Sequence, residues 1–320
     1  MYERGAQFMR STRFNRILSF AVAALVLLVA TPLFAGGGQE DAATDAPLQI
    51  LATTGHVGDA VMRVAPNADT FVLVGPGLDP HTYEASTRDI EQMRSVDIVF
   101  WNGLHLEAQM QDAIRSLGDA QLELGEEIPE SMLLPWEDDL FDPHIWNSTE
   151  IWSLVVQAIA DQLSEMDPAN ATAYQQNAAA YIEEIAAADA YARERLATIP
   201  AENRVLVSGH DAFNYFAEAY GFESLAIEGI STEDEASLQD LRNLADYIVE
   251  NEVVAIFYEN ITNPQATIAL QEAVEARGSA VGISEEELYS DALGDAAPLD
   301  TYLGTFRHNV DAIAATLGGS

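Results

Sequence analysis

The sequence predicts an α/β protein of two lobes, each with a parallel sheet flanked by helices, joined by one long bridging helix. Two observations carry this expectation. Short apolar runs alternate with amphipathic helical stretches in both halves of the 320-residue chain, the pattern of parallel sheets covered by crossover helices. Between the halves, residues 168–199 contain no Gly and no Pro after the first position, and Ala is abundant. This reads as one helix of 32 residues, about 48 Å long, with Asp167-Pro168 as its cap and first turn.

The elements follow in order. Arg4, Arg10, Arg13 and Arg16 precede a 14-residue apolar run at 17–30, and Ala35 ends a small-residue stretch. A membrane-spanning helix needs about 20 apolar residues, so 1–35 is expected to be a secretory signal and the chain to be exported. The alternative is a signal retained as a membrane tether. Residues 36–47 read as a flexible leader. An N-terminal lobe is expected over 48–166, with strands at 48–54, 70–74 and 97–101 and helices at 59–64 and 86–93. Ser86 with Asp89 forms a capping-box start. Residues 123–142 read as a solvated loop with eight acids and two Pro, followed by a helix at 148–166. The bridging helix takes 167–199. A C-terminal lobe is expected over 200–320, with strands at 205–208, 222–227, 253–258 and 280–283. A helix runs from Asn263-Pro264 to Gly278, and a last one covers 301–317.

Composition narrows the chemistry. There is no Cys, so disulfides, thiolate ligands and a lipid on an N-terminal Cys are not expected. The formal net charge is −38 and all 14 basic residues are Arg. With 1–35 removed, ten Arg stand against 51 acids, a net of −41. Such a surface repels nucleic acid and anionic lipid, whose binding depends on cationic side chains. It fits a salty medium, where screening relieves self-repulsion; it would also draw cations toward the protein.

Against this background two copies of Asp-Pro-His stand out: Asp79-Pro80-His81 and Asp142-Pro143-His144. Proline fixes the backbone just before each imidazole, and the Asp can anchor the turn or orient the ring. Singly, each is an ordinary turn. Two of them, in a chain with six His, suggest two ligands for one metal ion. His210 follows the strand at 205–208 and is expected to open a helix; Asp291 follows the strand at 280–283. Ligands bind beyond the C-terminal ends of parallel strands, so two donors from each lobe would make a cleft site for a divalent metal.

These stretches resemble the metal-binding solute receptors of bacterial ABC importers, the cluster that carries zinc and manganese. The likeness rests on Gly75–His81, on Asn102-Gly-Leu-His-Leu-Glu107, on Phe141–Trp146, on Val207–Phe213 and on Ser290–Asp295, in that order along the whole exported chain. It is greatest to the spirochaete-type receptors with three His and one Asp. The resemblance implies two α/β lobes joined by a long helix, metal ligands at His81, His144, His210 and Asp291, one ion per monomeric chain, and a membrane permease as partner. Three imidazoles favour Zn²⁺, with Mn²⁺ as the alternative, because the His-rich loop of many zinc-specific members is replaced here by the acidic 123–142 segment. His56 is a possible accessory ligand, His105 a packing residue and His308 a surface or core residue. Asp79, Asp142 and Asp211 are candidates to brace the ligands. No enzyme activity is expected. The competing readings are a secreted zinc metallohydrolase, for which no His-Glu-x-x-His motif exists, and a metal-binding surface adhesin.

Overall fold

The computed structural model describes residues 46–136, 140–233 and 236–318. The signal expected at 1–35 and all but the end of the 36–47 leader lie outside the described residues. The first sheet is built from β1 (Gln49–Thr54), β2 (Asp69–Val74), β3 (Ile98–Trp101) and β4 (Gln121–Glu123) in the order β2-β1-β3-β4. It carries α1 (Gly55–Val64), α2 (Thr87–Met93) and α3 (Gln111–Arg115). Then α4 (Thr149–Met166) and α5 (Ala171–Leu196) run between the sheets. The second sheet, from β5 (Val205–Ser208), β6 (Glu223–Ala226), β7 (Ala255–Ile256) and β8 (Gly282–Ile283), has the order β6-β5-β7-β8. Its helices are α6 (Asn214–Tyr220), α7 (Leu238–Glu250) and α8 (Pro264–Glu275), and α9 (Tyr302–Leu317) closes the chain. Every strand pairing in both sheets is parallel, so the second half repeats the strand order of the first.

The elements deviate from the sequence expectation where local signals conflict. Helix α1 starts at Gly55, because the Thr54 hydroxyl accepts from Val57 N at 3.3 Å and caps it. The bridging helix is shorter than expected. Asp167 terminates α4 with φ −130° and ψ 78°, since a residue before proline is pushed out of the helical region. Residues 168–170 are the turn, and α5 has 26 residues, about 39 Å. Strand β4 opens the acidic segment; three residues are too few for a period to be read.

Strand parity divides the interior. Ile50, Ala52, Ile98 and Phe100 face a cluster with α1, α4 and α5, whereas Leu51, Val99 and Trp101 face Met93 and Ile114. In the second sheet Leu206 and Ala255 join the first cluster, whereas Val207 and Ile256 pack on Leu244, Ile248, Leu270 and Val274. Side chains alternate faces along a strand, so each sheet is covered on both sides. One apolar cluster therefore runs without a break from the first sheet through α4 and α5 to the second sheet and α9. Polar ties follow the same path: Tyr181 of α5 donates to Asp59 of α1, and Tyr191 and Arg195 of α5 both donate to Asp311 of α9.

Candidate metal centre

Four side chains from four loops meet between the sheets. His81 follows β2, His144 precedes α4, His210 follows β5 and Asp291 follows β8. Each offers one ligand atom, and these atoms all lie within 4.8 Å of one another. His144 Nε2 is 3.3 Å from both His81 Nε2 and His210 Nε2. Asp291 Oδ2 is 3.2 Å from His81 Nε2 and 3.1 Å from His210 Nε2, and its Oδ1 is 3.6 Å from His144 Nε2. All four are buried. Neither Asp291 oxygen has a hydrogen-bonded partner among the described residues.

Local hydrogen bonds aim the rings. Asp142 Oδ1 takes the ring Nδ1 of His144 at 2.7 Å and its backbone N at 3.0 Å. Glu259 does the same for His210, with Oε2 on Nδ1 at 2.5 Å and Oε1 on the backbone N at 2.9 Å. A carboxylate on Nδ1 fixes the proton there and leaves Nε2 directed inward as a metal donor. Asp79 Oδ1 accepts only the backbone N of His81, at 2.9 Å. The Asp of each Asp-Pro-His thus closes a turn onto its own His, and in the second copy it also orients the ring.

Asp291 is placed through its backbone. Asn260 accepts from Ser290 N at 3.3 Å and donates to Ala292 O at 2.9 Å. Asn309 accepts from Tyr289 N at 2.9 Å and donates to Tyr289 O at 2.8 Å. Trp146 Nε1 donates to Ser290 O at 2.8 Å.

The electrostatics follow from burial and neighbours. Burial opposes charge on His210, but Glu259 and Asp291 outweigh it and hold its pKa well above the ordinary His value. Burial would raise Asp291, but His210 and His144 hold it well below the usual carboxylate range. His81 is pushed down by burial. The pocket therefore keeps a carboxylate ionised inside the protein and favours a positive charge beside it.

The remaining candidates fall elsewhere. His56 is buried and stacked on the Trp146 ring at 4.9 Å, outside the four-residue cluster. His105 lies beside Trp136, with ring centroids 6.2 Å apart. His308 is half-buried and donates to Glu287 O at 2.9 Å. Asp211 does not touch a ligand ring; its neighbour Asn214 donates to Asp142 at 3.1 Å. His210 does not open a helix: α6 begins at Asn214, Glu259 takes the His210 backbone N, and Asp211 N donates to Gly229 O.

Sequence reasoning missed Glu259, Asn260, Asn309 and Glu107. Glu259 was within reach, because it follows the central strand β7 at the end where ligands bind. Glu107 is fully buried. It accepts from Thr53 Oγ1 at 2.6 Å, Asn102 N at 2.9 Å and Gly103 N at 3.0 Å. Asn102 then donates to Pro143 O at 3.0 Å, which ties this turn to the backbone just before His144.

Comparison with known proteins agrees with the geometry. Residues 50–316 match the family described as zinc-uptake complex component A, periplasmic (ZnuA). The chain is 40% identical over 285 residues to the zinc-binding protein TroA of Treponema pallidum (strain Nichols), covering 88% of this chain and 92% of that one. It is 37% identical over 298 residues to the manganese-binding lipoprotein MntA of Bacillus subtilis (strain 168), covering 91% and 97%. Among solved structures, the periplasmic zinc-binding protein TroA from Treponema pallidum has a TM-score of 0.83 at 39% identity, covering 85% of this chain and 99% of that one. Fe(III)-bound YtgA from Chlamydia trachomatis has a TM-score of 0.77 at 30% identity, covering 85% and 99%. With the match spanning nearly all of both sheets and the helices between them, the chain belongs to the ZnuA family, the periplasmic component of zinc-uptake complexes.

Proposed function

We propose that this protein is an exported receptor that captures one divalent transition-metal ion on His81, His144, His210 and Asp291 and hands it to an ABC permease. The observation that carries the reading is the convergence of four buried donors, with two rings turned by carboxylates so that Nε2 faces inward. Five separations within the cluster run from 3.1 to 3.6 Å. Ligands bonded to zinc at 2.0–2.2 Å in a tetrahedron stand about 3.3–3.6 Å apart. Three imidazoles and one carboxylate suit Zn²⁺. Both Asp291 oxygens face the rings, so a fifth bond is available and Mn²⁺ is accommodated more weakly. Relatives named for zinc, manganese and iron support a scaffold that serves several metals.

Capture forms only metal–ligand bonds and needs no covalent bond to be made or broken. Four protein donors fill a tetrahedral zinc, whereas a hydrolytic zinc keeps one position for water. The test is metal content after purification without added metal, followed by competition calorimetry. One ion per chain is expected, with Zn²⁺ displacing Mn²⁺. Equal affinity for the two would move the assignment to manganese. Failure to bind either would sink the receptor reading.

A further inference from the structure

Trp146 touches two of the four candidate ligands, one from each half of the chain. It is buried, in the short turn Ile145–Asn147 that follows His144. Its ring meets the His144 imidazole with centroids 5.4 Å apart and planes at 73°. Its Nε1 donates to Ser290 O at 2.8 Å, across 144 positions of sequence. Ser290 O belongs to the same planar peptide unit as the nitrogen of Asp291. Holding that oxygen fixes the plane from which the Asp291 side chain departs.

That plane matters because the carboxylate has no other guide. Two of the imidazoles are turned by carboxylates on Nδ1. Among the described residues no hydrogen bond steers either oxygen of Asp291, and the buried hydroxyl of Ser290 has no partner. The aim of Asp291 therefore depends on its backbone. The indole that holds this backbone is itself fixed. His56 of α1 stacks on it, with centroids 4.9 Å apart and planes at 19°. Tyr302 of α9 donates to Trp146 O at 3.0 Å and packs beside Trp152 of α4, with centroids 5.4 Å apart.

Resting on the receptor reading above, we propose that Trp146 is a positioning residue for the metal: through its N–H on Ser290 O it sets where the Asp291 carboxylate meets the three imidazoles. Trp146 coordinates nothing itself. Without the tether, Asp291 has to be ordered when the ion arrives, and that ordering is subtracted from the affinity.

The experiment is a double-mutant cycle on the full chain, with Zn²⁺ affinity read by chelator competition. Trp146→Phe keeps an aromatic ring beside His144 and removes the N–H; it is expected to weaken Zn²⁺ binding about tenfold. In an Asp291→Ala background the same change is expected to cost less than about twofold, because the group it places is gone. Bound Co²⁺ supplies a reading that a general loosening of the fold would not move. The visible spectrum of the saturated Trp146→Phe chain is expected to shift from that of wild type toward that of Asp291→Ala. Should the smaller ring prevent folding, Trp146→benzothienylalanine keeps the bicyclic ring, lacks the N–H and is expected to give both results. Wild-type Zn²⁺ affinity together with a lowered metal-free melting temperature would make Trp146 a packing residue and overturn the proposal. Equal losses in the two Asp291 backgrounds would overturn the route through Asp291. A wild-type chain that takes up neither ion sinks the receptor reading itself, whereas a binding wild type with either of the other results sinks the role of Trp146 alone.

Discussion

A carboxylate that holds a ring by Nδ1 does two things: it sets the tautomer and it makes Nε2 a better donor. Glu259→Gln keeps the length and an acceptor oxygen but loses the charge. Zn²⁺ affinity is expected to fall about 10–100-fold, measured by calorimetry, while His308→Ala stays near wild type because its ring meets Glu287 O and the Tyr289 ring, outside the four-residue cluster. An unchanged Kd in Glu259→Gln would remove that residue from the site. His56 titrates rather than ligates. Burial lowers its pKa from 6.5 to about 4, so it is neutral in the folded state where the unfolded chain would charge it. Its contribution is present above pH 6.5 and is lost as pH falls toward 4, roughly 3 kcal/mol in all. His56→Phe keeps the stack on Trp146 and is expected to lose less stability than wild type between pH 7 and 4.5, read by urea unfolding of the metal-free chain. Equal losses would contradict it. At this scale the Asp-Pro-His repeats were legible, because the turn that makes each of them is local. Glu259 was not, because its partner lies 49 residues away and the strand before it has two residues.

Among the elements, the turn after β3 has the most unusual backbone. Gly103, Leu104 and His105 have φ of 76°, 53° and 71°, a left-handed turn closed by Leu106 N on Gly103 O at 3.0 Å. L-residues avoid this region, and the turn persists because Glu107 and Glu123 take its amides. Glu123 is itself gripped by Arg115 at 2.8 Å. A Cβ on Gly103 would stand 2.3 Å from Glu123 Cγ. Gly103→Ala must therefore strain the backbone and displace Glu123 from Arg115, and is expected to destabilise the protein by about 2–4 kcal/mol in urea unfolding. A change under about 1 kcal/mol would mean the turn can relax. The motif was visible in the sequence, but its geometry was not: three consecutive residues in this region come from buried carboxylates whose partners only the fold reveals. The strands were legible as apolar runs, yet β7 and β8 proved shorter than their runs, because pairing with neighbours, and not apolarity, ends a strand.

For the molecule as a whole, two terms act on stability through different physics. With 1–35 removed the chain carries a net of −41, and its surface charges repel one another across distances that salt screens; the Debye length is about 30 Å at 0.01 M and about 3 Å at 1 M. The candidate metal centre is buried between the sheets and is screened far less. Added NaCl is therefore expected to raise the melting temperature of the metal-free chain, as self-repulsion is relieved. Zn²⁺ adds a separate increment by binding the folded state, about 4 kcal/mol at a thousandfold excess over Kd. The same acidic field attracts the incoming cation, so the association rate of Zn²⁺ should fall as ionic strength rises, while the dissociation rate, set inside the closed site, changes little. Calorimetric melting in a salt series, with and without Zn²⁺, and stopped-flow binding over the same series separate these terms. A melting temperature that drops with salt would show that surface repulsion does not limit this fold. An association rate indifferent to salt would show that the charge serves solubility alone and does not steer the metal to its site.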